Sequence, residues 1–281
     1  MRTLFFGTSA FAVPSLHVIA EKTDLAGVVT QPDRPAGRGH KLAPTPVKSA
    51  ALELGVRIYE PQSLKALAEE LAGSRFLLFA LASYGRILPQ AMLDVPALGA
   101  LNVHPSLLPK YRGATPIQSA LLAGESETGV SIMLMDKGMD TGDIVLQERI
   151  RIDATDDYGQ LHDRLAFFGA DLLGDAVDLA VRGPLPHRPQ RGEPSVTRPF
   201  DKEDLEIDWS WPPQRIVNTV RAFSPSPGAR AVIDGEAVKI LRAHVDGERV
   251  AIDELIAPNR GKMTGESYER SRRDRGPGNL R

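Results

Sequence analysis

The 281-residue chain is 42% hydrophobic and 25% charged, with 34 basic against 36 acidic side chains and a formal net charge of -2. That balance excludes global disorder and a polycationic surface, so any nucleic-acid contact has to come from local basic patches. The absence of cysteine excludes disulfides, thiol nucleophiles and thiolate metal sites.

A chain of this length suits one large or two ordinary domains. Met1-Arg2 leads straight into a strand-like run, with nothing of a signal peptide, and no stretch approaches the ~18 apolar residues of a spanning helix. A cytoplasmic protein is expected, and a monomer. Thr3 to Phe6 reads as a buried strand, Gly7-Thr8-Ser9 as the turn into a helix beginning near Phe11, and Leu25 to Val29 as a second strand. Strand, helix, strand predicts a parallel pair with a right-handed crossover, the start of an α/β fold. No G-x-G-x-x-G follows the first strand, and no nicotinamide or flavin dinucleotide is predicted.

Between Gln31 and Lys48, Arg34, Arg38, Lys41 and Lys48 stand against the single acid Asp33, a local balance of +3. Gly37 and Gly39 free the backbone beside Arg38, so this segment reads either as a solvated loop or as a basic loop that meets phosphate. A helix then runs through Leu54, a third strand covers Val56 to Tyr59, a helix capped by Ser63 reaches Ala72, and Phe76 to Leu81 is a fully buried fourth strand.

Gly99 to Val103 is another buried strand. Side chains alternate along a strand, so Asn102 and His104 share a side if the extended conformation persists through Val103, while Pro105 and Pro109 end the strand and stiffen its exit loop. An amide donor beside an imidazole suits addition at a carbonyl, where negative oxygen builds while an amine sheds a proton. By itself such a pair at a strand end is more often a structural hydrogen-bonding pair than a catalytic one. Thr115 to Leu122 reads as a helix with Pro116 at its first position, and Val130 to Leu134 and Ile144 to Ile152 as a hairpin with Asp136, Asp140 and Asp143 between them.

Asp157 to Val181 has helical spacing and closes the first domain, expected at 1–183. Residues 184–203, rich in Pro, Gly, Arg and Ser, read as a linker. A second domain is expected at 204–258, with a helix from Pro213 to Phe223 and a hairpin turning at Asp234-Gly235. Residues 259–281 carry seven Lys/Arg against three Asp/Glu and read as a disordered basic tail.

The string from Asn102 through His104, Ser106-Leu107-Leu108-Pro109 and Tyr111-Arg112-Gly113, with Met135 to Asp143 further on, resembles the folate-dependent formyltransferases. The loop from Gln31 to Gly39 narrows the resemblance to the methionyl-tRNA formyltransferases, with Arg38 at the family's key arginine. The resemblance implies a Rossmann-like, mostly parallel sheet plus a small C-terminal open β-barrel, OB-like, for which the chain after Val245 looks short. It implies 10-formyltetrahydrofolate as donor, methionyl initiator tRNA as acceptor and no metal. Asp140 joins Asn102 and His104 as catalytic residues; Ser106, Leu107, Leu108, Pro109, Tyr84, Gly85 and Ile87 line the folate site; Arg34, Arg38 and Lys41 meet tRNA. Gln190 and Ile207 to Ser210 also match the pattern, Trp209 being read as a packing residue. Other acceptors (a sugar or nucleotide amine), hydrolysis of the formyl donor, or a catalytically impaired RNA-binding relative are the alternatives.

Overall fold

The structure, a computed structural model, describes residues 1–36 and 41–273, the side chains of 34–36 and 41 excepted. The chain opens with β1 (Arg2–Gly7), α1 (Val13–Lys22), β2 (Asp24–Val29) and a small hairpin of β3 (Arg34–Ala36) and β4 (Lys41–Ala43). Next come α2 (Pro46–Glu53), β5 (Ile58–Tyr59), α3 (Leu64–Leu71), β6 (Leu78–Ala82), α4 (Gln90–Leu93), β7 (Ala100–His104) and β8 (Arg112–Gly113). Then come α5 (Pro116–Leu122), β9 (Glu127–Leu134), β10 (Asp143–Arg151), α6 (Tyr158–Arg182) and β11 (Val196–Thr197). The remainder is α7 (Pro213–Phe223), β12 (Ala229–Ile233), β13 (Glu236–Asp246), β14 (Arg249–Ala257), β15 (Gly261–Thr264) and α8 (Gly265–Arg273). Among the described residues no helix is long and apolar enough to cross a membrane.

The chain divides into two compact units. The first comprises 1–114, 127–151 and 162–197. Its seven-stranded sheet runs β10-β9-β7-β6-β1-β2-β5, with β5, β2, β1, β6 and β7 mutually parallel and β9 antiparallel to both β7 and β10. The central β6, Leu-Phe-Ala-Leu-Ala, is buried at every position, as a strand covered on both faces must be. One face packs Leu4, Phe6, Phe79, Leu81 and Ala100 against Leu64, Leu67 and Leu71 of α3 and Met92 of α4. Ser63 starts α3 by accepting the Ala66 N–H, and Thr45 starts α2 by accepting that of Lys48. On the other face α6 comes so near that a Cβ on Gly169 would lie 2.7 Å from Val103 Cγ1, which places a glycine there.

Residues 184–197, expected to be a linker, are built into this unit instead. Arg188 exchanges two backbone hydrogen bonds with Ile144, at 2.8 and 3.0 Å, and β11 pairs in parallel with β8.

The second unit comprises 115–126, 152–161 and 198–281, of which the residues to 273 are described. Its four-stranded antiparallel sheet runs β12-β13-β14-β15; Ile216, Val217 and Val220 of α7 pack on Ala231, Val238, Ile240 and Leu255. Trp209 is 43% exposed and donates its Nε1–H to the Val232 carbonyl, so it packs at the edge of this sheet. The expectation of a disordered tail from Asn259 is corrected over 261–273, which forms β15 and α8. Tyr268 anchors α8: its ring is buried, Arg260 and Arg272 lie over it at 4.9 and 5.8 Å, and its hydroxyl donates to Glu236 at 2.8 Å.

Candidate active site

The parallel strands β1, β6 and β7 bring their carboxyl ends together, the edge at which open α/β sheets bind ligands. β7 stays extended through His104, so Asn102 and His104 lie on one face, about 7 Å apart at two residues' rise. Asn102 is half-buried, and among the described residues nothing bonds its carboxamide. Register carries the His104 row onward: His104 pairs with Ser131 on β9, and Ser131 with Gln147 on β10.

Ser131 is fully buried and uses its whole hydroxyl. It donates to the Ser106 carbonyl (2.7 Å) and accepts from Leu108 N–H (3.2 Å) and Gln147 Nε2 (2.9 Å); Gln147 Nε2 also donates to the Leu108 carbonyl at 2.9 Å. The loop after β7 is thus fixed from the neighbouring strands.

Asp140 closes the site from the β9–β10 connection. Its Oδ2 lies 3.6 Å from His104 Nδ1 and accepts the Gly113 N–H at 2.8 Å. The other ring nitrogen, Nε2, stands 2.9 Å from the Tyr111 carbonyl. A carbonyl only accepts, so Nε2 carries a proton and the lone pair of the neutral ring sits on Nδ1, toward the carboxylate. Burial lowers the His104 pKa, against the opposing pull of Asp140 and the Tyr111 carbonyl, and holds the imidazole neutral at pH 7. Asp140 and Tyr111 themselves have left-handed backbones, φ +53° and +60°, a conformation costing about 1–2 kcal/mol for a side-chain-bearing residue. A buried neutral base, a carboxylate positioned to stabilise its conjugate acid and an unbonded amide donor together suit acyl transfer to an amine.

Residues 1–177 match the sequence model of a family described as formyl transferase, and residues 199–273 that of the formyl transferase C-terminal domain. The chain belongs to the formyltransferase family. It is 46% identical over 257 residues to a methionyl-tRNA formyltransferase of Pelotomaculum thermopropionicum, covering 89% of this chain and 81% of that one. It is 46% identical over 245 residues to one of Xanthomonas axonopodis pv. citri (85% and 80%) and 44% over 247 to one of Xylella fastidiosa (86% and 80%). Among solved structures, an N-formyltransferase from Helicobacter canadensis, in complex with folinic acid and dTDP-3-aminofucose, aligns with a TM-score of 0.68 at 20% identity, covering 91% and 94%. A methionyl-tRNA formyltransferase from Clostridium thermocellum aligns at 0.61 and 16%, covering 92% and 99%. These two likenesses are of fold.

Seen as a formyltransferase, the structure spreads the residues expected at the folate site over scaffold and surface. The Ser106 hydroxyl is fully buried and donates to the Lys110 carbonyl at 2.6 Å; Leu108 is buried among Met133 and Ile144; half-buried Leu107 lies where a Cβ on Gly129 would be, 2.5 Å from its Cδ2. Buried Pro109 accepts the Ser195 N–H through its carbonyl. Tyr84 is buried edge-on to Phe6, with burial raising the pKa of its phenol, and its carbonyl accepts from Thr8 Oγ1 and Gln31 Nε2. Gly85 and Ile87 are exposed, Ile87 at 73%.

Arg38 lies outside the described residues, and of Arg34 and Lys41 only the backbone is described, in the β3–β4 hairpin. Lys48, counted in the basic balance of that loop, is paired with both Asp33 (2.8 Å) and Glu60 (3.0 Å). Sequence reasoning missed Ser131 and Gln147, whose signal is a register the sequence does not reveal, Ser131 opposite His104 and Gln147 opposite Ser131.

Proposed function

We propose that this formyltransferase moves the formyl group of 10-formyltetrahydrofolate onto the α-amino group of methionyl initiator tRNA. The convergence of His104 and Asp140, on separate elements, with Asn102 on the same face of β7 as His104, carries the chemistry of this reading. The 44–46% identity with methionyl-tRNA formyltransferases supports the acceptor. Arg34, Arg38 and Lys41 are proposed to meet tRNA phosphate, and the 106–109 loop with Tyr84, Gly85 and Ile87 to shape the folate site.

The amine nitrogen bonds to the formyl carbon, and the carbon's bond to the folate nitrogen breaks. Asn102 donates to the oxygen that becomes negative in between. His104 Nδ1 takes the proton the amine releases and returns it to the departing folate nitrogen, so no proton is gained or lost overall. Asp140 steadies the imidazolium in the interval, while Tyr111 holds Nε2–H and hence the ring's orientation. One oxyanion donor is commonly worth ~10²–10³ in rate and a general base ~10²–10⁴.

The test is incubation with 10-formyltetrahydrofolate and methionyl initiator tRNA, following both formylmethionyl-tRNA and free formate. Formate without formylated tRNA would mean a hydrolase, and no product an impaired relative. In Asn102→Ala, His104→Ala and Asp140→Ala, turnover should fall by two or more orders of magnitude while folate binding persists, and near-normal turnover removes that residue from the mechanism.

A further inference from the structure

The segment after α6 holds a residue whose side chain touches both halves of the site from behind. Gln190 Nε2 donates to the carbonyls of Asp140 (2.9 Å) and Gly142 (2.8 Å), and its Oε1 accepts from Arg112 Nε (3.1 Å) and Nη2 (2.7 Å). All four bonding positions of the amide are in use. Arg112 stands between Tyr111, whose carbonyl orients His104, and Gly113, whose N–H holds the Asp140 carboxylate. Around this centre, Ser195 accepts the Tyr111 N–H at 2.8 Å, Thr197 Oγ1 donates to the Arg112 carbonyl at 3.0 Å, and Arg188 is paired with Ile144.

We propose that Gln190 is a positioning residue for formyl transfer: its amide holds the left-handed Asp140 backbone and the Tyr111–Gly113 segment in register, setting the His104–Asp140 geometry. The proposal rests on the reading of Asp140 and His104 given above. An amide fills this place better than its isosteres. A carboxylate keeps Arg112 but turns an acceptor on two carbonyl oxygens, whereas alanine releases both loops. Misplacing a reacting group by about an ångström costs up to 10²-fold in rate, so the effect belongs in kcat rather than in donor affinity.

The experiment compares Gln190→Glu, Gln190→Ala and Asp140→Asn with the wild type, normalising rates to folate-binding stoichiometry so that misfolded molecules do not count. Gln190→Glu and Gln190→Ala are each expected to lower kcat about 10–100-fold with the donor KM within about threefold. In Gln190→Glu the added negative charge also moves the acid limb of the pH–rate profile upward. If Gln190→Ala does not fold, Gln190→Glu decides. Unchanged normalised kcat and an unmoved pH profile in Gln190→Glu, with Asp140→Asn inactive, overturn the assignment and leave the active-site reading standing. Full turnover by Asp140→Asn removes that reading, and the assignment with it.

Discussion

Replacing Ser131 by alanine removes a buried hydroxyl that ties the loop after β7 to β9. Two buried backbone groups lose their partner, the Ser106 carbonyl and the Leu108 N–H, whereas Gln147 keeps the Leu108 carbonyl. A buried polar group left unpaired costs about 1–3 kcal/mol. With partial relaxation the pair amounts to about 2–4 kcal/mol. At roughly 2–4 °C per kcal/mol for chains of comparable size, the first unfolding transition should drop by about 4–16 °C. Because the same loop is proposed to shape the folate site, the donor KM should rise while kcat falls less. Circular dichroism melts and initial rates over donor concentration measure both effects, with Gln147→Ala as the milder comparison that orphans only one carbonyl. A Ser131→Ala protein melting within a degree of wild type, with an unchanged donor KM, would refute the claim that this hydroxyl fixes the loop.

Burial keeps the His104 pKa below about 6.5, so between that lowered value and 6.5 the unfolded chain binds a proton that the native one refuses. Its contribution to stability is therefore complete above pH 6.5 and is lost as pH falls toward the native pKa. His104→Gln should flatten the dependence of Tm on pH across that window, and an identical slope would count against it. Ser63→Ala deletes the cap on α3 and should cost about 1 kcal/mol in denaturant melts without altering kcat. Tyr268→Ala empties the buried ring site under α8 and should cost about 3–5 kcal/mol in the second unit. Hydrogen exchange reads this as lost protection over 265–273, and retained protection would show that α8 is held by something else.

Much of the first unit was legible because its signals are local. The Ser63 cap precedes α3, the buried run of β6 comes after it, and the alternation that puts Asn102 and His104 on one face needs only that β7 stay straight. The Gly-rich turn carrying Asp140 was legible through its resemblance to a family rather than through its composition. What stayed hidden depends on partners far along the chain. Residues 184–197 have the makeup of a connector, yet their order comes from bonds such as Gln190 to Asp140 and Thr197 to Arg112. Helix α8 is too poor in apolar residues to announce itself; one tyrosine, two arginines and a glutamate from β13 hold it.

His104 and Ser131 face each other where two kinds of strand pairing meet. On one side β9 and β10 join through a short connection and pair with near neighbours; on the other, β7 lies beside β6, and β6 beside β1, only after long crossovers. Non-local pairings of that sort come late in assembly. Refolding chains should therefore regain catalytic turnover only with the last cooperative phase, after the bulk of the backbone signal has returned, which makes the reaction itself a reporter of the completed sheet.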